Sequence, residues 1–437
     1  MTKRKTEKCL SGTFAKKWPL FIDKKITFFG VLFNNFYAFS HNWNESTQKD
    51  YITKYQKHIL PELNNVPIDQ LTEETIRILF RKLELRFSDS QMDHLQMLTN
   101  LVLFAAAANN LIGFSPWGSD IELNRTQRQQ IVGKILKGWL PRSFTISEQL
   151  TIFKELTTDP MQSGAKMALL LMLICGLRNS EAGGVMFCNV FEHPSRKNEY
   201  YLALINTSNA DHSIDASFKS ANGPRIIPIP AFLYQFILQR RELIQQKIDD
   251  GSIRLPAGKS IDSLPIACLS DFVTHCNTQN ITYAGKKLFQ KIGYEAENYY
   301  LADHLAARNA KDEKDPTAYL FRRNFCTNMT IAEMPQTPLE YLMGHSIEDQ
   351  LFDPRFLLAE KPQHAIRQIM HRCPLFNLSY DADTDRFHLD TFYMTKEEWL
   401  QHTRNNAIIK FQEYNPGPDL YMQHFEDAVN RFNKKRT

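Results

Sequence analysis

The chain has 437 residues, 43% apolar and 23% charged, a balance typical of a globular protein with two or three domains. Lysine and arginine outnumber aspartate and glutamate by 52 to 48, and this small excess does not by itself indicate a partner. The longest apolar run, Met167 to Cys175, is shorter than the roughly 18 residues of a membrane helix, and the N-terminus lacks the apolar stretch of a signal peptide. The seven cysteines form no C-x-x-C pair, so we expect free thiols in a reducing, cytoplasmic compartment.

The first predicted domain is helical. Apolar residues at helical spacing predict a helix over Thr47–Ile59, which Pro61 is expected to interrupt. Thr72 is expected to begin a second helix, and an alanine-rich third helix spans 92–112. Residues 28–118 are therefore predicted to form one all-helical domain.

Two basic stretches flank this domain. Residues 1–27 are rich in lysine and arginine, and residues 119–142 form a basic linker that carries no acid from Arg125 onward. A solvated surface explains such a run, but an acid-free stretch between two domains is also typical of a linker that follows DNA phosphates. The linker residues that we expect to contact DNA are Arg125, Arg128, Lys134, Lys137 and Arg142.

The second predicted domain, residues 143–376, mixes helices with a few strands. Ser147 is expected to cap its first helix, and an apolar helix follows over 166–177. Two strands separated by a turn are predicted at 200–206 and 225–229. The remaining predicted helices span 231–248, 316–332, 338–343 and 361–372.

The end of the chain changes in composition. Residues 377–437 contain aromatic residues and two prolines and are predicted to form a C-terminal appendage. The elements together predict a fold that is mainly α with a small β-sheet, in which a helical domain precedes a mixed α+β domain.

Four stretches of the second domain carry side chains of the kinds that bind phosphate. They are Gly176–Glu181, Lys219, Tyr319–Thr327 and Met343–Ser346. Taken singly, each has an ordinary explanation, such as a helix cap, an exposed lysine, a solvated arginine pair or a packed histidine.

In this order, the four stretches resemble the motifs of the tyrosine recombinase/integrase family. The family's G-L-R-x-S-E motif is matched around Arg178, its strand-turn lysine by Lys219, and its L-G-H-S motif around His345. Its H-x-x-R-H-x-F-x-T motif is matched around Arg322, with a tyrosine and an arginine in place of the two histidines.

The resemblance covers about residues 28–376. Arg225-Ile-Ile-Pro228 is close to the family's R-x-x-P wording after the lysine. The helical domain looks like the family's core-binding domain, including its ending at Ser115-Pro116. The resemblance therefore implies a core-binding domain followed by a recombinase catalytic domain.

The family's chemistry is transesterification at a DNA phosphodiester, and the resemblance implies a role for each motif residue. Arg178 and Arg322 would hold the non-bridging oxygens of the phosphate, where negative charge develops. His345 would donate a hydrogen bond or handle a proton, and Lys219 would protonate the leaving 5′-oxygen. Glu181 would orient the cationic cluster from behind.

Two further residues are expected near the DNA. Tyr319 would lie at the rim of the site and donate to a phosphate oxygen, and Arg323 would bind DNA. No metal and no other cofactor is expected, because the protein itself would supply the positive charge.

The attacking tyrosine of the family has no counterpart at its usual place after the histidine. Pro354 stands there, and the stretch Leu342–Ser379 contains no tyrosine. The next tyrosines are Tyr380 and Tyr393, and either would reach the site only if the tail folds back or enters a neighbouring subunit. Tyr380 is the first candidate because its link to the domain is shorter, although both residues could simply pack the appendage.

Three functional readings follow from these observations. The first is a site-specific integrase of a bacterial mobile element, which acts on double-stranded DNA in the nucleoid, associates with itself there and does not involve a membrane. The second is a recombinase-fold DNA-binding protein that does not cleave and serves as an architectural factor or regulator. A helical transcription regulator with a ligand domain is the third, and it leaves the four motifs unexplained.

Overall fold

The computed structural model describes most of the chain in two compact units, Met1–Ile135 and Leu136–Thr437. The described residues are 45–63, 66–84, 87, 89–108, 110, 112–113, 143–216, 218, 223–294, 317–345, 347, 357–389 and 418–435. The predicted domain boundaries at residues 27, 118 and 142 lie outside them and stay predictions.

The described part of the first unit begins with helix α1, which spans Glu45–Lys54. It continues through a π-helical turn at Tyr55–Ile59 into a last turn at Leu60–Leu63. The prediction that Pro61 interrupts the helix is therefore wrong. A π-helical turn, in which the Leu60 amide bonds to the Tyr55 carbonyl, directly precedes the proline and shifts the hydrogen-bond register where the proline has no N–H to donate.

Two more helices complete the described part of the first unit. Helix α2 spans Glu73–Glu84 after a short 3₁₀ turn at Ile68–Gln70, and helix α3 spans Asp89–Ala108. Thr72 caps α2 as predicted, because its Oγ1 accepts from the Thr75 amide at 3.2 Å. The three helices bury a separate apolar core that includes Tyr55, Ile59, Ile76, Leu79, Leu98 and Val102.

The second unit is built around an apolar helix, α5, which spans Gly164–Cys175 and is buried along nearly its whole length. Helix α4 (Ile146–Thr157) precedes it, and the short helix α6 (Asn179–Gly184) follows. The left-handed Gly176, with φ 66°, ends α5 and turns the chain towards α6.

The cap of α4 differs from the predicted one. Thr145 caps the helix instead of Ser147, and its Oγ1 accepts from the Glu148 amide at 3.3 Å. The Glu148 carboxylate in turn accepts from the Thr145 amide at 2.7 Å, which completes a capping box. The glutamate three residues after the threonine therefore decides where this helix begins.

Residues 190–229 of this unit contain two small antiparallel sheets. Their strands are β1 (Val190–Glu192), β2 (Tyr200–Leu204), β3 (Thr207–Ser208), β4 (Ile214–Asp215) and β5 (Arg225–Ile229). One sheet has the order β1-β2-β5, and β3 pairs with β4 in the other. The register pairs Leu202 with Ile227 and Leu204 with Arg225, so β5 holds Arg225 at the end of the sheet.

Among the described residues up to 376, the further helices are α7 (Ala231–Asp249), α8 (Thr278–Ile292), α9 (Tyr319–Ile331), α10 (Gln336–Met343) and α11 (Glu360–Met370). Short 3₁₀ turns lie at Phe187–Asn189, Ile261–Ser263 and Pro374–Asn377. Helix α9 packs on α5, and α10 ends at Gly344, a second left-handed glycine with φ 59°.

The described part of the predicted appendage packs into the core of the second unit. Strands β6 (Leu378–Asp381) and β7 (Arg386–Leu389) form a hairpin, and helix α12 spans Pro418–Lys434. Apolar side chains of all three are buried in the same core as α5. The hydroxyl of Tyr421 on α12 donates to Asn328 of α9 at 3.0 Å, so the C-terminal helix is anchored by a buried hydrogen bond.

The observed fold is mainly α with small antiparallel sheets, which confirms the predicted fold class. Within the part of the chain that the structure describes, no helix combines the length and apolarity needed to cross a bilayer.

Candidate active site

A single buried carboxylate, that of Glu181 on α6, lies at the centre of the candidate site. The side chain is 1% exposed and accepts from the Arg178 amide at 2.9 Å and from Nη1 of Arg178 at 2.7 Å. Because Arg178 directly precedes α6, the carboxylate both satisfies a free N–H at the helix start and pairs with the guanidinium. This arrangement fixes Arg178, whose side chain remains 22% exposed.

Arg225 on β5 also belongs to the site, although we did not predict it as a site residue from the sequence. Its Nη2 lies 2.8 Å from Oε2 of Glu181 and its Nη1 lies 3.3 Å from Oε1, a two-pronged ion pair. Its Nε donates to the Leu342 carbonyl at 2.9 Å, and the side chain is fully buried. The R-x-x-P motif after Lys219 was the signal that could have identified it.

Arg322 on α9 completes the set and is also fully buried. Its Nη1 donates to the Gly176 carbonyl at 2.6 Å and lies 3.6 Å from Oε2 of Glu181, and its Nη2 donates to the Met343 carbonyl. Its Nε has no hydrogen-bond partner among the described residues. We call Arg178, Arg225, Arg322 and Glu181 together the arginine cluster.

The electrostatics of the arginine cluster are governed by one negative and three positive charges. Burial alone would raise the pKa of Glu181, but the adjacent Arg225, with help from Arg178 and Arg322, lowers it to about 2. Burial and the two neighbouring guanidiniums, opposed by Glu181, lower the pKa of Arg322 to about 10. Glu181 and Arg322 are therefore charged at neutral pH, and three guanidiniums around one carboxylate leave an excess of positive charge that suits an anion.

The glycines that end α5 and α10 both accept hydrogen bonds from the cluster, and Gly344 also leaves room for two of its arginines. A Cβ at Gly344 would lie 2.6 Å from Nη1 of Arg225 and 3.2 Å from Nη1 of Arg178. The Gly344 carbonyl accepts from Nη2 of Arg178 at 2.9 Å, as the Gly176 carbonyl does from Arg322. The C-terminal carbonyls of α5 and α10 thus hold guanidiniums in place, which favours positive charge at these ends.

His345 follows directly and lies beside Arg322. Its Nε2 is 3.3 Å from Nη2 of Arg322, and its Nδ1 is 2.5 Å from Oε2 of Glu340, one of the last residues of α10. The imidazole is 41% exposed, so it is the member of the group nearest to solvent. Glu340 was not identified from the sequence, where nothing marks it among the other acidic residues.

Other predicted residues lie nearby or on the same helix. Tyr319 is the first residue of α9, one turn before Arg322, and is 52% exposed, which suits the predicted position at a rim. Arg323 is half-buried next to Arg322. Lys219, Tyr393 and the five basic linker residues Arg125, Arg128, Lys134, Lys137 and Arg142 lie outside the described residues.

Tyr380 lies in the β6–β7 hairpin, where its hydroxyl donates to Asp385. Its ring contacts Phe387 of β7 at a centroid distance of 5.2 Å, and the Lys154 ammonium of α4 lies 5.5 Å from the ring centroid. Burial, together with the Asp385 carboxylate, raises the pKa of Tyr380. These contacts hold the phenol in its own hairpin, so the hairpin would have to open before Tyr380 could attack a phosphate.

The residues gathered by the fold thus include four of those predicted from the sequence: Arg178, Glu181, Arg322 and His345. Their hydrogen bonds join parts of the chain that are far apart in the sequence. Arg178 donates to the carbonyl of Gly344, 166 positions later, and Arg322 donates to that of Gly176, 146 positions earlier. Among the described residues, no group of three or more histidine, cysteine or acidic side chains is arranged to hold a metal ion.

Comparison with known proteins establishes what this fold is similar to. No protein-family model and no curated protein matches the chain. The Tn1549 transposon integrase (residues 82–397), in complex with circular intermediate DNA, is 17% identical with a TM-score of 0.51, and the match covers 78% of this chain and 98% of that one. A lambda integrase dimer bound to a COC′ core site is 12% identical with a TM-score of 0.50, over 81% and 82% of the two chains.

These identities are low, and the likeness concerns the path of the backbone. It extends over both units and nearly the whole length of the transposon integrase fragment. The chain therefore has the tyrosine recombinase/integrase fold, as the order of its sequence motifs predicts.

Proposed function

We propose that the protein is a DNA-binding site-specific recombinase or integrase of a mobile element, which breaks and rejoins DNA through a tyrosine. The observation that carries the proposal is the arginine cluster with His345 beside it. Three guanidiniums from distant parts of the chain meet around one buried carboxylate, and an imidazole lies beside one of them. Arg178 and His345 are partly exposed to solvent. Forked guanidinium donors suit a phosphodiester, whose non-bridging oxygens can each accept a hydrogen bond.

The transition state of phosphoryl transfer gathers negative charge on its non-bridging oxygens, and fixed cationic donors stabilise that charge. Arg178 is partly exposed and can donate to one oxygen without changing its bonds to Glu181. Arg322 is buried and would exchange a carbonyl partner for the second oxygen. Arg225 would not touch the substrate, because its side chain is fully buried and all three of its nitrogens already donate, to Glu181 and to the carbonyls of Gly223 and Leu342.

Lys219 would act as the general acid that protonates the leaving 5′-oxygen. In the sequence Lys219 stands between β4 and β5, and Arg225 at the start of β5 belongs to the arginine cluster. Tyr319 and Arg323 would add contacts to the DNA backbone at the start of α9.

The nucleophile of this reaction is proposed to be Tyr393. The hydroxyl of Tyr380 is held by Asp385, and its ring is covered by Lys154 and Phe387, which argues against the candidate ranked first from the sequence. Tyr393 follows the hairpin and is the remaining candidate. Attack by its oxygen would form a 3′-phosphotyrosine bond that conserves the energy needed for rejoining.

The partners of this reaction are proposed as well. Its substrate would be double-stranded DNA in the bacterial nucleoid, and more than one copy of the protein would assemble on it. The basic linker would follow the phosphates between the two domains, so the affinity for DNA should fall steeply with salt. An affinity that stays flat between low and moderate salt would contradict this part of the proposal.

A nicked suicide duplex tests the reaction directly. On such a substrate the short leaving strand diffuses away after cleavage and the covalent intermediate accumulates. We expect a protein–DNA adduct that survives denaturation, with peptide mapping locating the attached tyrosine. Tight, salt-dependent DNA binding without any adduct would instead support the non-cleaving reading, in which the protein is an architectural factor or regulator.

A further inference from the structure

We propose that Glu340 is a positioning residue that fixes His345 in the tautomer with its proton on Nδ1, so that Nε2 is a proton acceptor. The tautomer follows from the geometry alone. Its consequence for catalysis rests on the proposed function, and the experiments below separate the two.

The assignment begins with Arg322. A guanidinium has only N–H donors, so the Nη2 that lies 3.3 Å from Nε2 of His345 can only donate to it. Nε2 must therefore present its lone pair. A neutral imidazole carries one N–H, which is then on Nδ1 and points to the Glu340 carboxylate 2.5 Å away.

The carboxylate is itself held in place on both sides. Its Oε2 accepts from His345, and its Oε1 accepts from the side-chain amide of Gln336, one turn earlier on α10. The backbone adds a further link, because the His345 amide donates to the Glu340 carbonyl at 2.9 Å. Glu340 and His345 are thus joined by their backbones and by their side chains, which leaves the imidazole little freedom to rotate.

This tautomer has a defined use in the proposed reaction. When Arg322 turns its donors to a phosphate, the lone pair on Nε2 becomes available to the attacking tyrosine. The tyrosine oxygen then bonds to phosphorus, its proton passes to Nε2, and the bond to the 5′-oxygen breaks as Lys219 protonates that oxygen. The resulting imidazolium keeps its Nδ1–H on Glu340, whose negative charge stabilises it.

Nitrogen NMR of the full-length protein tests the tautomer without any activity. Long-range proton–nitrogen spectra of histidine-labelled protein distinguish a protonated nitrogen from one with a free lone pair. The spectrum of His345→Asn identifies the signals of His345 by their loss. We expect the Nδ1–H tautomer in the wild-type protein, whereas a proton on Nε2 alone would overturn the proposal.

A charge-removing variant tests the consequence. Glu340→Gln keeps the size of the side chain but can satisfy either tautomer, so the adduct on a suicide duplex should form between about tenfold and 10⁴-fold more slowly. DNA affinity should stay unchanged, which a collapse of the site would not allow. The control is Glu242→Gln, an exposed glutamate on α7 that should match the wild type.

The outcomes are distinguishable. An unchanged adduct rate in Glu340→Gln would overturn the positioning role. If the wild-type protein forms no adduct at all, the proposed function fails, and the spectrum of His345 still decides whether Glu340 fixes the tautomer.

Discussion

The arginine cluster and the β6–β7 hairpin pack into the same core, but they leave different groups available. The cluster is assembled from three distant segments, and Arg178 is partly exposed at the surface, as is His345 beside Arg322. The hairpin is made of neighbouring residues, and it holds the hydroxyl of Tyr380 on its own Asp385. The groups that we propose to stabilise charge are thus in place without DNA, whereas the hairpin does not offer a nucleophile in this state.

The difference is one of energetics as well as geometry. Three guanidiniums beside one another repel, and only a buried carboxylate with several helix-end carbonyls makes their assembly stable. Holding these positive charges together costs free energy, which a bound anion would offset. The hairpin contacts, in contrast, are the ordinary local bonds of a two-stranded turn, and they need no functional explanation.

The largest expected effect concerns the nucleophile. Tyr393→Phe should abolish the covalent adduct, because phenylalanine has no oxygen to attack with. Tyr380→Phe should leave it, since its hydroxyl is already bonded within the hairpin. Both variants are compared with the wild type by denaturing electrophoresis after incubation with a suicide duplex. Loss of the adduct in Tyr380→Phe alone would mean that the hairpin opens on DNA.

The second expected effect concerns the exposed arginine of the cluster. Arg178→Ala should slow adduct formation by about 10²–10³-fold, the cost of removing one preorganised donor from a developing negative charge. The fold should survive, because Arg225 still pairs with Glu181. Arg241→Ala is the matched control, since Arg241 pairs with Asp262 in a partly exposed ion pair that involves no member of the arginine cluster. Equal rates in the two variants would remove Arg178 from the catalytic group.

The third effect is a dependence of stability on pH. The pKa of Glu181 is about 2 in the folded protein against an ordinary value of 4.5. Its contribution, about 3 kcal/mol, is therefore fully present above about pH 4.5 and is lost as the pH falls towards 2. Hydrogen exchange of α5 and α6, corrected for intrinsic rates, should show this loss of protection. Glu242→Gln, at an exposed position on α7, should leave the pH dependence unchanged, and a flat profile in the wild type would contradict the ion-pair assignment.

Much of the site was predictable because its residues lie in short local motifs. Arg178, Glu181, Arg322 and His345 each stand next to a glycine or within one helical turn of another motif residue. The expected helices and strands also formed, since apolar periodicity reports burial directly. The motifs could not reveal which of these residues would be buried from solvent. Arg322 is buried because α5 and α10 both end against it.

Two partners were missed because their roles depend on tertiary geometry. Arg225 joins the cluster only through the pairing of β5 with β2 and the close approach that Gly344 allows. Glu340 reaches His345 only because α10 ends in a left-handed glycine that turns the chain back on the helix. The bond between Tyr380 and Asp385 was missed as well, because it depends on how the hairpin turn closes.

The smallest expected effect is the loss of stability when alanine replaces a glycine at the end of a helix. Two causes can be separated: backbone strain, and a clash of the new Cβ with the arginine cluster. Gly344 and Gly293 both end helices with similar left-handed backbones, φ 59° and 64°, so alanine should cost each about 1–2 kcal/mol of strain. A Cβ at Gly293 meets nothing within 4 Å, whereas one at Gly344 would lie 2.6 Å from Nη1 of Arg225. Gly344→Ala should therefore lose about a further 1–3 kcal/mol of unfolding free energy, the usual range for overpacking.

Chemical unfolding of the two alanine variants measures that difference, and the contribution of the first unit cancels because both glycines lie in the second. Gly344→Ala should also form the adduct more slowly, since its Cβ would come within 3.2 Å of Nη1 of Arg178 and push the guanidinium away from the phosphate. Gly293→Ala should keep the wild-type rate. If the two variants lose the same stability and the same activity, the close approach at Gly344 does not hold the arginines, and strain at the helix end alone explains why glycine stands there.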